Sequence, residues 1–332
     1  MSRLREVERE ILARRPEHSI EPSLDRISAL TSLLGDPQRA YPVIHITGTN
    51  GKTSTARMTE TLLRARGLRT GLFTSPHLTS IRERICVDGE PLSAERFVDA
   101  YDEVAPYLAL VDENQAGSLS FFEVLTAMAF AVFADAPVDV AVIEVGVGGT
   151  WDCTNVADGA VAVVTPISID HVRYLGNTVT AIATDKAGII KPGAVAILAQ
   201  QPVDAAEALL HRVAEVGATV AREGLEFGVT NRELAVGGQL IGVRGLLGGY
   251  NDLFLPLFGA HQASNAACAL AAVEAFAGAS ATGPDAAAGS GAAEGEPAAL
   301  DDELVRSAFA MMSSPGRLEV VRRSPTMIVD SA

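Results

Sequence analysis

The run Thr47-Gly48-Thr49-Asn50-Gly51-Lys52-Thr53-Ser54-Thr55 places glycines, one lysine and several hydroxyls between a β-rich run and a helical pattern. That composition in that setting is a loop that could hold phosphates. Gly48 and Gly51 let the backbone curl and turn its N–H groups inward, because a residue without Cβ reaches left-handed conformations freely. Lys52 offers a point charge for β- and γ-phosphates, and Thr53 or Ser54 a hydroxyl near Mg²⁺. Position 46 is isoleucine, so the full G-x-x-x-x-G-K-[ST] pattern is not met. The competing reading is a Gly-rich turn that merely caps a helix; the strand–loop–helix setting favours phosphate binding.

A second group follows the apolar run Val138 to Ile143: Glu144-Val145-Gly146-Val147-Gly148-Gly149-Thr150-Trp151-Asp152-Cys153-Thr154-Asn155. A carboxylate at the C-terminal end of a buried strand, followed by glycines, stands where open α/β sheets bind ligands. One Glu with hydroxyls and phosphates suits Mg²⁺, which takes few protein oxygens and keeps several waters. The next strand runs into Thr165-Pro166-Ile167-Ser168-Ile169-Asp170-His171, bringing His171 toward the same rim. Alone, His171 reads as a capping or core residue; beside Glu144 it reads as a ligand. Asp185-Lys186-Ala187-Gly188-Ile189-Ile190-Lys191-Pro192, taken by itself, is an ordinary amphipathic helix end.

These groups need elements to position them. Helical patterns cover residues 3–15, 24–34, 52–66, 94–110, 121–134, 262–277 and 301–311. Strands are predicted at 43–47, up to 74, 138–144, 160–165, 195–198, 317–322 and 326–330, with Gly-rich short β segments over 226–257 at the sheet edge. Strands alternating with helices predict an α/β fold with a doubly wound, mostly parallel sheet. Residues 279–298 are Ala/Gly/Pro/Glu-biased and read as a flexible linker, dividing 1–278 from 299–332.

Composition narrows the function. Of 332 residues 48% are hydrophobic, enough for a folded core, and the net charge of −15 argues against a nucleic-acid surface. A single nucleotide is compatible with that charge, because backbone N–H groups and one lysine hold phosphates locally. Cys86, Cys153 and Cys268 are too scattered for a disulfide framework. Neither a secretory signal nor a spanning apolar run is evident, so a cytoplasmic protein without membrane association is expected.

With these residues in view, the chain resembles the folylpolyglutamate synthases of the Mur ligase superfamily, whose phosphate loop has the shorter G-T-N-G-K-T form. The resemblance rests on Thr47–Ser54, Ser75-Pro76-His77-Leu78, Arg82-Glu83-Arg84-Ile85, Glu144–Asn155, Ser168–Gly176, Lys186–Gly193, His261-Gln262-x-x-Asn265-Ala266 and Pro315-Gly316-Arg317-Leu318-Glu319, in that order. It implies a P-loop central domain over 1–278 with a small β-rich edge, and only the start of a second α/β domain in 299–332. It implies ATP contacts from Gly48, Thr49, Asn50, Gly51, Lys52, Thr53, Ser54, Asn265, Arg317 and Asp330. It implies Mg²⁺ at Ser75, Glu144 and His171, with a carbamylated Lys186 helping to hold a second cation. A pterin-bearing substrate would lie against Ser120, Phe121, Phe122, Glu123, Trp151, Asp152 and Cys153, though Phe121 and Phe122 equally fit the start of a core helix.

The implied reaction adds L-glutamate to dihydropteroate or a folate through an acyl phosphate, in a monomer, with Lys52, Lys186, His171 and Arg317 as its chief groups. Many relatives carry Gly-Gly-Arg-Leu-Asp where this chain has Gly149-Thr150-Trp151-Asp152, a change expected to alter substrate fit. The family also continues past the point where this chain ends, so impaired activity is expected. The rival readings are a non-catalytic nucleotide-binding fragment, a peptidoglycan Mur-type ligase, and a generic P-loop ATPase or kinase.

Overall fold

A computed structural model describes residues 3–17, 19–282, 299–316, 319–323 and 326–329. Helices α1 (Arg3–Leu12) and α2 (Asp25–Leu33) precede β1 (Val43–Thr47), α3 (Lys52–Ala65) and β2 (Thr70–Phe73). The chain then makes an antiparallel edge, β3 (Ile85–Val87) and β4 (Glu90–Pro91), before α4 (Ala94–Asn114), α5 (Phe121–Asp135) and β5 (Val140–Glu144). After β6 (Gly159–Val164) come α6 (Val172–Leu175), α7 (Val179–Lys186), β7 (Val195–Leu198), α8 (Val203–Val216) and β8 (Thr219–Arg222). Strands β9 (Gly228–Ala235), β10 (Gly238–Arg244) and β11 (Gly249–Leu255) lead into α9 (Ala260–Thr282). Helix α10 (Asp302–Ala310) and the hairpin β12 (Glu319–Arg323) and β13 (Thr326–Val329) follow.

The main sheet has the order β4-β3-β2-β5-β1-β6-β7-β8. Pairs along β2-β5-β1-β6-β7-β8 are parallel, and the pairings of β3 with β2 and with β4 are antiparallel. The α/β, doubly wound, mostly parallel expectation is met, and β9 to β11 form their own three-stranded antiparallel sheet rather than extending the main edge. Connections leave β1 for β2 on one side and return through β5 to β6 on the other. The carboxyl ends of β1, β5 and β6 therefore open a crevice at the point where the winding reverses.

Side-chain alternation assigns the faces. Ile44, Ile46, Val142 and Val163 join α3, α9, α10 and β10–β11 in one core, with Leu62, Phe276 and Phe309 fully or nearly buried. Val43, Phe73 and Ile143 face α1, α2, α4 and α5, around Phe97, Phe130 and Phe133. Ala162, Val164 and Leu198 face α7 and α8. Burying such faces supplies roughly 25 cal/mol per Å² and sets which rims stay open.

Several boundaries move. Helix α4 continues past 110 to Asn114 in spite of Pro106 within it. Helix α9 runs to Thr282, so the first four positions of the predicted linker are helical, and 283–298 lie outside the described residues. Leu300, Val305, Ala308, Phe309 and Met312 pack into the core that contains α3 and α9. Among the described residues no helix is long and apolar enough to cross a membrane.

Candidate functional site

The crevice contains a cavity of about 890 Å³. At one end Gly48 takes φ +146° and Gly51 φ +88°, both left-handed. Neither position has room for a Cβ: at Gly48 it would stand 1.9 Å from Thr165 Oγ1, and at Gly51 2.4 Å from Asn265 Oδ1. The N–H groups of Thr49 and Asn50 donate to Pro166 O at 3.0 and 3.2 Å, pinning the loop to the end of β6 instead of pointing inward. The donors aimed at a ligand are thus those opening α3, a helix capped by Gly51 without any side-chain bond. Unsatisfied N–H groups and the helix dipole make that end attract anions.

Two lysines converge on one carbonyl. Lys52 Nζ donates to Gly48 O at 3.2 Å and to Thr49 O at 3.4 Å, while Lys186 Nζ donates to the same Gly48 O at 2.8 Å. Burial, and after it the charge of Lys52, pulls the Lys186 amine down to about 7. Its neighbours Asp185, Asp152 and Asp170 oppose that shift. Lys52 is half-buried at the opening of α3, and Lys186 is buried at the end of α7.

Glu144 closes β5 with its carboxylate buried. Oε1 accepts from Thr53 Oγ1 at 2.8 Å, and Oε2 from Ser75 N at 3.1 Å. Burial pushes this carboxyl up, against the nearby charge of Lys52 and the Thr53 and Ser75 hydrogen bonds. Ser54, the other hydroxyl considered for this role, turns away to pair with Ser314 Oγ at 2.8 Å and to accept from Gln262 Nε2 at 3.4 Å. Thr53 is therefore the hydroxyl that faces the carboxylate. Ser75 and His171 line the same cavity. His171 is left-handed at φ 48°, exposed, and 3.6 Å from Asp170 through Nε2. Among the described residues no three His, Cys, Asp or Glu side chains form a metal cluster. The set is instead one buried carboxylate with hydroxyl and imidazole neighbours, an oxygen-rich donor set that fits a hard cation such as Mg²⁺ retaining its waters.

The opposite wall is built differently. Ser120 caps α5, accepting from Glu123 N at 3.2 Å while Glu123 Oε2 accepts from Ser120 N at 2.7 Å. Glu123 Oε1 also accepts from Arg26 Nε at 2.9 Å, both side chains being buried, and Arg15 stands 3.5 Å from Oε2. Phe122 lines the cavity and packs on Phe73 at 5.6 Å between centroids. Phe121 does not line it; its ring lies in the core beneath the Arg84 guanidinium, 5.0 Å away. Trp151, Asp152 and Cys153 complete the wall. Burial pushes the Cys153 thiol well up, so it stays protonated, as a small apolar wall group.

The cavity thus gathers Thr49 to Ser54, Ser75, Ser120, Phe122, Glu123, Glu144, Trp151 to Cys153, His171 and Asn265. Gly48 and Lys186 support it from behind, through the Gly48 carbonyl. Arg317 and Asp330 lie outside the described residues. Sequence reasoning missed Arg15, Arg26, Glu17 and Glu21, which line the cavity from the N-terminal segment. Arg15 and Arg26 pair with Glu123, and Glu17 with Arg84, far along the chain, and no local pattern marks such pairings.

Comparison with known proteins adds independent findings. The family model described as Mur ligase middle domain matches residues 46–273. A dihydrofolate synthase/folylpolyglutamate synthase of Mycobacterium tuberculosis (strain ATCC 25618 / H37Rv) is 52% identical over 99% of this chain and 67% of its own length. The structure of Mycobacterium tuberculosis folylpolyglutamate synthase complexed with ADP superposes with a TM-score of 0.90 at 50% identity, covering 99% of this chain and 70% of that one. An FPGS–AMPPCP–folate complex, abbreviating folylpolyglutamate synthase, gives a TM-score of 0.89 at 34% identity, covering 99% and 76%.

Proposed function

The chain belongs to the folylpolyglutamate synthase/dihydrofolate synthase family of Mur ligases, which are ATP-dependent ligases, and from that premise we propose that its cavity joins L-glutamate to a pterin-bearing carboxylic acid. The observation that carries this reading is the shared cavity: a phosphate loop at one end, a buried carboxylate beside it, and an aromatic wall of Phe122 and Trp151 opposite.

In this reading ATP lies with its phosphates on the N-terminus of α3. Lys52 leaves the Gly48 carbonyl to meet the β- and γ-phosphates, and Gly48 to Ser54 with Asn265 shape the seat. Arg317 and Asp330 are proposed as further nucleotide contacts. The substrate carboxylate attacks the γ-phosphorus, forming an acyl phosphate and releasing ADP. The amine of L-glutamate then attacks the acyl carbon, phosphate leaves, and an amide remains. No side-chain nucleophile is required, so the protein acts by positioning and by neutralising charge.

Glu144, Ser75 and His171 are the residues that would hold Mg²⁺. When bound, it would neutralise the charge of the phosphates in transfer. Glu144 is oriented for this by Thr53 and by the Ser75 N–H. Lys186 is proposed as a carbamylated group, because burial lowers its amine to about 7, leaving about half of it neutral in neutral solution, and the neutral amine can add CO₂. Ser120, Phe122, Glu123, Trp151, Asp152 and Cys153 are proposed to face the pterin-bearing substrate, with Phe121 supporting the wall from the core.

The test is phosphate release from MgATP with L-glutamate, with and without dihydropteroate or tetrahydrofolate, alongside AMPPCP binding by calorimetry. The expected result is nucleotide binding with phosphate release that requires the pterin-bearing acid. Release that ignores both pterin compounds would overturn the substrate assignment and leave a Mur-type ligase for another acid.

A further inference from the structure

Central strands seldom carry histidine, because an imidazole buried without partners costs free energy that a valine would not. His45, in the middle of β1, is completely buried. It lies on the same face as Val43 and meets one polar atom, Thr154 Oγ1, at 2.9 Å from Nε2. Its Nδ1 has no partner. A group half-satisfied in this way is retained at a cost in stability, which directs attention to what Thr154 does.

Thr154 belongs to the turn that ends the cavity wall. Its hydroxyl stands 2.5 Å from Asp152 Oδ1, and its N–H donates to the same oxygen at 3.0 Å. Asp152 Oδ2 accepts from Val147 N at 3.0 Å, and Gly146 N–H also donates to this carboxylate. Donors thus fill both oxygens, and a proton on either would displace one of them. Burial pushes this carboxyl up, while the hydrogen bonds from Thr154, Val147 and Gly146 favour its ionised form; ionised, it only accepts, so the single hydroxyl proton of Thr154 points to Asp152. The hydroxyl oxygen must then accept from His45, which fixes the Nε2–H tautomer and explains the bare Nδ1. Every bond in the chain runs one way, from His45 through Thr154 to Asp152.

Asp152 in turn ties the Gly146–Val147 turn to the Thr154 turn. Gly146 lies against both Phe122 and Asp152: a Cβ there would stand 2.6 Å from the Phe122 ring and 3.1 Å from Asp152 Oδ2. Donors from Gly146, Val147 and Thr154, at the two ends of the loop after β5, are therefore held in register by one buried carboxylate. We propose that His45 and Thr154 are positioning residues for the acid-substrate half of the cavity, fixing Asp152 and with it the Gly146–Val147 turn, Phe122 and Trp151. This rests on the reading that this wall meets the pterin-bearing substrate. His45 does not line the cavity, and it acts on that surface through Thr154 and Asp152.

The experiment compares His45→Leu, which removes the donor, with His45→Gln, whose amide N–H can stand where Nε2–H stands. The pair Thr154→Val and Thr154→Ser repeats the contrast at the next link, should a substitution in β1 fail to fold. The donor-less variants should raise KM for dihydropteroate about tenfold, the worth of one hydrogen bond, with KM for MgATP unchanged. The donor-keeping variants should restore it. Trp151 is the chain's one tryptophan, so its emission reports on the wall without any turnover. That emission should shift in His45→Leu and Thr154→Val and hold in His45→Gln and Thr154→Ser. Equal behaviour of donor-keeping and donor-less variants, or parallel rises in both KM values, overturns the proposal. Wild-type emission that ignores dihydropteroate and folate would count against the substrate reading alone, and the variants' unliganded emission would still decide the positioning role.

Discussion

At the phosphate-loop end of the cavity, Thr49 to Ser54 form one uninterrupted segment, whereas the opposite wall takes Arg15 and Arg26 from one region, Ser120, Phe122 and Glu123 from a second and Trp151 to Cys153 from a third. The loop is shaped by its own backbone, by two left-handed glycines and by the Pro166 carbonyl. The wall is held by buried charge pairs and by the hydrogen-bond chain from His45. A contiguous loop concentrates its chemistry in one side chain, while a composite wall distributes its chemistry over contacts that also stabilise the fold. Substitutions at the two ends should consequently fail in different ways.

The largest effect is expected at the loop. Lys52→Ala should lower turnover by about 10³-fold, as loss of a preorganised charge at a transferring phosphoryl group does. Thermal stability should barely move, because Lys52 bonds only to loop carbonyls. A matching collapse in stability would erase the contrast drawn here.

At the wall the order reverses. Arg26→Ala leaves Glu123 buried with its strongest partner gone and should cost about 3 kcal/mol in denaturant unfolding. Replacing Arg26 and Glu123 together with apolar residues should cost less than Arg26→Ala alone, since no buried charge is left uncompensated. If the double substitution is the worse of the two, the ion pair is not the element that holds this wall.

The last effect is a slope. Lys186 is held at about 7 when folded, against 10.5 for the free side chain. Between these values the unfolded chain binds a proton that the folded chain does not, so stability rises with pH across that window. The cost of burying the amine is felt in full below about 7 and disappears above the unfolded value. Lys186→Met should flatten a rise of at most about 1.4 kcal/mol per pH unit, as followed by urea unfolding at several pH values. An unchanged slope would mean that Lys186 titrates normally and that its contact with Gly48 does not define its charge.

Much of the loop end was legible because its information is local. Strand, two glycines, lysine and hydroxyls are consecutive, and Glu144 follows an unmistakable buried strand. Phe121 and Phe122 show where such reading stops. Both are apolar, adjacent and at a helix start; only the register of α5 turns one toward Arg84 in the core and the other toward the cavity. Thr53 and Ser54 were likewise equivalent until helix α3 aimed one at Glu144 and the other at Ser314.

The sequence by itself determined the α/β class, the glycine- and lysine-bearing loop after β1 and the carboxylate after β5. Periodicity and turn chemistry act over a few residues and need no partner. Only the tertiary structure decided that Lys52 and Lys186 share one carbonyl, that Arg26 neutralises Glu123, and that His45 reaches Asp152 through Thr154. Each of these depends on two segments brought together by packing of the sheet faces. Their energies come from burial and distance, quantities that a chain acquires only on folding.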